Sequence, residues 1–113
     1  MKTINKNLLK AAAKSGVSRI YSLLEKGADI NVKDSLGKTP LILAAEKNTD
    51  VDVTILLIEE DKKTNGIDMY GGSPLLNATD KIGDTALMKA AWSNPNMEVF
   101  TALLLACAEF SDG

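Results

Sequence analysis

Asp34-Ser-Leu-Gly37-Lys-Thr39-Pro40-Leu41-Ile-Leu-Ala44-Ala45 decides how this chain folds. It returns 46 residues later as Asp80-Lys-Ile-Gly83-Asp-Thr85-Ala86-Leu87-Met-Lys-Ala90-Ala91, with six of the twelve positions identical. A self-match within one short chain points to a repeat architecture, in which each unit buries its apolar face only by stacking on its neighbours. Within the stretch, Gly37 and Gly83 close a D-x-x turn where the backbone needs positive φ. Thr39 and Thr85 follow two residues later, with hydroxyls that accept bonds from the free N–H groups of a helix's first turn. Pro40 stands at the first helical position, which needs no donor and benefits from a fixed φ.

From there the helical spacing runs outward. Leu41, Ala44 and Ala45, and likewise Leu87, Ala90 and Ala91, lie three and four apart and form one stripe. The paired alanines permit close approach of a neighbouring helix, so a larger side chain at Ala44 overpacks the contact. The pattern D-x-x-G-K-T-P-L-x-x-A-A, continued upstream by Gly27-Ala28-Asp29-Ile30-Asn31-Val32-Lys33, resembles the signature of the ankyrin repeat. That unit has about 33 residues, arranged as a β-turn finger and two antiparallel helices. The resemblance implies an all-α solenoid of helix-turn-helix repeats carrying β-turn fingers. The family's His after T-P-L is replaced by Ile42 and Met88, and the chain has no His at all.

The chain has 113 residues, and its length fits one domain of about three such units. Repeat 1 is expected at about 2–33, repeat 2 at about 34–60, an insertion at about 61–74 and repeat 3 at about 75–110. With 45% hydrophobic but only 4% aromatic residues, the core must be aliphatic. Charges balance to a net of −2 without a basic stripe, which gives no footprint for nucleic acid. The lone Cys107 has no partner for an internal disulfide, so the expected setting is reducing and cytoplasmic. The N-terminal Leu8-Leu9 run is interrupted by Lys10 and is too short for an export signal. No stretch has the apolar length of a membrane span.

In repeat 1, Leu8, Leu9, Ala12 and Ala13 give one helical stripe, and Val17, Ile20, Tyr21 and Leu24 a second that stops at Gly27. Lys2, Asn5, Lys6, Lys10 and Lys14 form a polar set suited to a capping unit. Repeat 2 has an inner helix from about Pro40 to Lys47 and an outer one from about Val51 to Glu60, with Asp50 as N-cap. Leu56-Leu57 corresponds to Leu23-Leu24 and to Leu103-Leu104. The 46-residue spacing of the D-x-x-G turns places some 13 extra residues between Glu59 and Pro74. This polar, glycine-broken segment reads as loop. It is either a tolerated surface insertion or an extra finger presenting Ile67, Met69 and Tyr70. In repeat 3, Asn94-Pro95 reads as the N-cap and first residue of an outer helix that is apolar nearly all round. A closing unit should be polar outside, so this end continues into a longer array, docks on a partner, or pairs with itself in a homodimer through Phe100 and Leu105.

No reactive centre is visible. Without His there is no His-based triad or imidazole acid–base pair, and one Cys makes no ordinary zinc site. Gly66, Gly71 and Gly72 lack the Lys-Ser/Thr of a phosphate loop, and Glu59-Glu60-Asp61 reads as solvated surface. The expectation is a non-enzymatic protein with no cofactor and no metal. Ankyrin-like arrays hold protein partners along the concave surface of finger tips and inner helices. Carried over by position, the resemblance puts there Lys33, Ser35, Leu36, Lys38, Thr79, Lys81, Ile82 and Asp84 from the fingers. From the inner helices it adds Lys14, Leu43, Glu46, Lys47, Lys89, Trp92 and Ser93. The residues themselves add support, because Leu36 and Ile82 are large apolar groups at turn tips. Trp92 follows the Ala-Ala pair, in the place of Glu46 in repeat 2 and Lys14 in repeat 1. It is either partial core or an anchor for a partner.

Overall fold

The computed structural model describes residues 1–67 and 72–108. It contains seven helices among them and no strand: α1 Thr3–Lys14, α2 Val17–Glu25, α3 Pro40–Lys47, α4 Val51–Asn65, α5 Pro74–Asn77, α6 Ala86–Ser93 and α7 Met97–Ala108. Helices α1, α3 and α6 form an inner layer with α3 in the middle, while α2, α4 and α7 form the outer layer behind them. The result is an all-α stack 39 × 30 × 27 Å.

The local signals act as expected. Thr39 Oγ1 accepts from Ile42 N at 3.1 Å and Thr85 Oγ1 from Met88 N at 3.3 Å, capping α3 and α6. Asp50 caps α4 by accepting from Asp52 N at 3.0 Å. Gly27, at φ 98°, ends α2 with the Ala28 N–H donating to Leu23 O at 3.0 Å. In each finger the leading Asp organises the turn. Asp34 Oδ1 accepts from the N–H groups of Leu36 and Lys38, both at 2.9 Å, and Asp80 Oδ1 does the same for Ile82 and Asp84. The two fingers are joined by Lys81 N donating to Leu36 O at 3.0 Å. A Cβ at Gly37 would lie 3.0 Å from that same Lys81 nitrogen, so the glycine serves both its φ of 78° and this approach.

Repeat-to-repeat register is fixed by two asparagines. Asn48 Nδ2 donates to Ala12 O at 3.0 Å and Ser15 O at 2.8 Å; 46 residues on, Asn94 Nδ2 donates to Ala45 O at 3.0 Å and Asn48 O at 2.8 Å. Both side chains are buried and close the free carbonyl ends of the preceding inner helix. Three sequence expectations are thereby corrected. Asn94 ends α6 and clamps α3; the residue that caps α7 is Asn96, whose Oδ1 accepts from Glu98 N at 3.0 Å. The same register sets Ala12 against Ala45, so Ala13 matches Glu46 and Trp92, and Lys14 matches Lys47 and Ser93. The outer-helix leucine pairs are also offset, their buried members being Leu23, Leu57 and Leu103.

The segment expected as loop after Glu60 is helical as far as Asn65. Glu, Lys and Asp residues with no apolar stripe carry no burial signal, yet Glu and Lys are good helix formers. Asp61 is fully buried and accepts from Asn65 Nδ2 at 2.8 Å and from Leu75 N at 3.0 Å, which supplies the cap that Ser73 does not give α5. Asn65 also exchanges two bonds with Asn31, at 3.0 and 2.8 Å, tying the extension back to repeat 1's exit. The added residues are thus partly anchored structure. Ile67 is exposed at its end; Met69 and Tyr70 lie outside the described residues.

The final repeat exposes what the middle one covers. Ile42 is 0% exposed beneath repeat 3, whereas Met88 at the matching position is 40% exposed. Ala45 is buried and Ala91 is not.

Candidate protein-binding surface

Side chains expected on the finger and inner-helix side divide into three groups. Leu36, Ile82 and Trp92 are 57%, 77% and 69% exposed, which removes the partial-core reading of Trp92. Lys14, Lys33 and Lys47 are exposed as well. Leu43 is buried, so it is floor and not a projecting contact.

Lys38, Glu46, Asp84 and Lys89 are not free hooks. They belong to one chain of charges joining both fingers to α3 and α6. Lys38 Nζ lies 2.8 Å from Glu46 Oε1, and Lys89 Nζ lies 3.8 Å from Glu46 Oε2, 3.1 Å from Asp84 Oδ2 and 3.3 Å from Asp80 Oδ2. Lys89 is buried, yet its pKa is raised above 10.5, foremost by the hydrogen bond to Asp84 and against the opposing effect of burial. Asp80 is held below 3.8, foremost by the Asp84 backbone N–H, with Lys89 and the Ile82 N–H adding to it against desolvation. The sequence reading missed Asp80 as an ion-pair partner and took it as a turn former only. Its signal was there: Asp84 replaces Lys38 and Lys89 replaces Leu43 between the two repeats, a matched change of charge.

Beside the first finger, at the repeat-1 end, lies an open groove of about 410 Å³. Leu9, Ala13 and Leu43 line it together with Lys6, Lys10 and Lys47, while Asp34 and Ser35 contribute from the finger. On the outer layer a second groove, between α4 and α7, is lined by Ile55 and Ile58 from one helix and Ala102 and Leu105 from the other. Leu105 therefore lies on the outer face, and Phe100 is half-buried against the core. The open end of the stack is instead carried by Met88, Ala91 and Leu104, all exposed.

Among the described residues no group of three or more Cys, Asp or Glu is arranged to hold a metal ion, and no helix is long and apolar enough to cross a membrane. Cys107 is half-buried, and desolvation pushes its thiol above the ordinary 9.0.

A family model for ankyrin repeats in three copies matches residues 8–112. The chain belongs to the ankyrin-repeat family. It is 38% identical over 60 residues to an ankyrin repeat protein of fowlpox virus (strain NVSL), FPV233, and 48% identical over 42 residues to the mouse fibronectin type 3 and ankyrin repeat domains 1 protein. These matches cover 53% and 36% of the chain but only 11% and 12% of the relatives' own lengths. Among solved structures, it is similar to a chain in the complex of the Bd0816 predatory endopeptidase of Bdellovibrio bacteriovorus with the immunity protein Bd3460. The TM-score is 0.70 with 29% identity, covering 89% of this chain and 46% of that one. Ankyrin repeats are generally protein-interaction modules, and the family is typically non-enzymatic.

Proposed function

We propose that this ankyrin-repeat chain is a non-enzymatic module that captures a partner protein through its concave finger and inner-helix surface, in a reducing, cytoplasmic setting. The observation that carries the reading is the exposure of Leu36, Ile82 and Trp92, three large apolar side chains on the finger and inner-helix elements. Each loses apolar surface to water only by meeting another molecule, and Trp is the residue type most enriched among binding hot spots. Lys38, Glu46, Asp84 and Lys89 serve this surface by fixing the fingers on the inner helices. The solved complex to which the chain is similar pairs an immunity protein with an endopeptidase, which fits a module whose partner is itself a folded protein.

Affinity capture from the native source, followed by mass spectrometry, tests the reading. A partner held by the native chain should be lost from Trp92→Ala and from Leu36→Ser, each truncation weakening binding by about 2 kcal/mol if these are hot spots. A partner retained in full by both variants refutes it.

A second reading is favoured by the contrast between Ile42 and Met88: the apolar face of repeat 3 is a self-association or assembly surface, met by another copy or by further repeats. Leu104→Glu then lowers the mass seen by light scattering at high concentration, and a native chain that stays monomeric there excludes another copy.

A further inference from the structure

The groove at the repeat-1 end differs in charge from the ion-pair chain beside it. In the chain of charges that joins the two fingers both lysines are answered: Lys38 by Glu46, and Lys89 by Asp80, Asp84 and Glu46. At the groove, Lys6, Lys10 and Lys47 are exposed and make no ion pair among the described residues. One carboxylate, Asp34, lines the groove as well, fixed by the N–H groups of Leu36 and Lys38, so three lysines against one aspartate leave the rim net positive. Between the lysines the floor is aliphatic, with Leu9 and Leu43 nearly covered and Ala13 beside them. Apolar floor and unanswered positive rim together describe the chemistry of what fits.

We propose that this groove takes an acidic segment of a partner protein, with an aliphatic side chain entering between Leu9 and Leu43 and flanking carboxylates pairing with Lys6, Lys10 and Lys47. The inference rests on the protein-binding reading above and adds to it the charge and shape of the bound segment. A volume of about 410 Å³ is enough for one or two side chains of such a segment. Nucleic acid fits less well, because the groove offers neither an aromatic ring nor an arginine plane for base stacking, and the chain's single Arg19 lies on α2. Rim lysines set against carboxylates steer encounter and fix orientation, and their effect is screened by salt.

Methyl-detected NMR titration of the full chain tests this with a capped peptide Glu-Glu-Leu-Leu-Glu-Glu, its counterpart Lys-Lys-Leu-Leu-Lys-Lys, and a thymidine decamer. Saturable shifts are expected at Leu9, Ala13 and Leu43 with the acidic peptide. They should weaken about tenfold when salt rises from about 50 to about 500 mM, and by at least that factor in Lys10→Glu/Lys47→Glu. Both lysines are exposed, but Lys47 lies in the last turn of α3, where Glu opposes the helix dipole, so Lys10→Gln/Lys47→Gln is run beside the double variant and should keep the native melting temperature while also losing the acidic peptide. The inference is overturned if the acidic peptide moves none of these methyls at millimolar concentration, if the lysine peptide binds equally, or if the decamer binds more tightly. Failure here leaves partner capture through Leu36 and Trp92 standing. Binding here with capture unaffected by Trp92→Ala and Leu36→Ser refutes only the tip surface.

Discussion

Replacing Asn94 with Ala should cost the stack more than any surface truncation. Its amide nitrogen serves two carbonyls at the end of α3, Ala45 O at 3.0 Å and Asn48 O at 2.8 Å, and its oxygen accepts from Asn96 N at 2.9 Å. Asn94 is buried, so alanine leaves the two carbonyls facing a cavity and not water. A hydrogen bond of this kind contributes about 0.5–1.5 kcal/mol net, and an orphaned buried group costs about 1–3 kcal/mol. Two such bonds lost together, with partial relaxation, destabilise the fold by about 2–4 kcal/mol, a large share of the roughly 5–15 kcal/mol of a whole domain. Urea unfolding followed by circular dichroism measures it, with the slope against denaturant checked for loss of a single transition. Because Asn94 couples repeat 3 to repeat 2, the slope should fall as the last repeat frays separately. A change below about 0.5 kcal/mol with an unchanged slope would mean that apolar stacking alone sets the register, and the argument from the asparagines would be wrong.

Asp61→Ala removes the acceptor that caps α5 and holds Asn65, and should destabilise by about 1–3 kcal/mol in the same assay; the exposed neighbour Glu59→Ala should stay within about 0.5 kcal/mol. Lys89 and Asp80 predict the pH limits of their cluster. The Lys89 contribution is whole below 10.5 and is lost as pH rises through its raised value, while that of Asp80 is whole above 3.8 and is lost as pH falls through its lowered one. Thermal melting of the native chain should therefore decline above pH 10.5 more steeply than that of Lys89→Met, and equal declines would remove Lys89 as the cause. Ala44→Leu should overpack the α3 contact by about 1–3 kcal/mol, while Ala91→Leu, at the open end, should change stability by less than about 0.5 kcal/mol.

What was legible in the sequence is what is local. Gly27, Thr39, Thr85 and Asp50 each act on backbone within a few residues, and each does what its type and position require, as Gly37 does in its turn while also making room for Lys81 of the next finger. Illegible were the features in which a polar side chain acts across repeats. Asn48 and Asn94 bond to carbonyls 33 to 49 residues away, and nothing in helical periodicity marks them; their shared 46-residue offset with Asp34 and Asp80 was the available sign. The one-residue slip in repeat 1 follows from the same cause, since three consecutive alanines leave the stripe undetermined until an asparagine selects Ala12. Asp61 was read as solvated because aspartate is seldom fully buried, and only a free helix end, that of α5, reverses that preference.

The two copies of the repeated stretch also show how one scaffold acquires an asymmetric face. At matched positions Leu43 becomes Lys89 and Glu46 becomes Trp92. In repeat 2 the Leu43 position is apolar floor, and Glu46 turns to answer Lys38. In repeat 3 the lysine needs carboxylates, which Asp84 and Asp80 supply from the finger, with Glu46 reaching across from the other repeat. That arrangement leaves position 92 with no charge to answer, so a tryptophan there projects without breaking a pair. Removing Lys89 leaves Asp80 and Asp84 without their shared cation, so Lys89→Met should loosen the finger that carries Ile82 and unfold at lower urea than the native chain at neutral pH; an unchanged midpoint would show that the backbone bonds of Asp80 alone hold the finger.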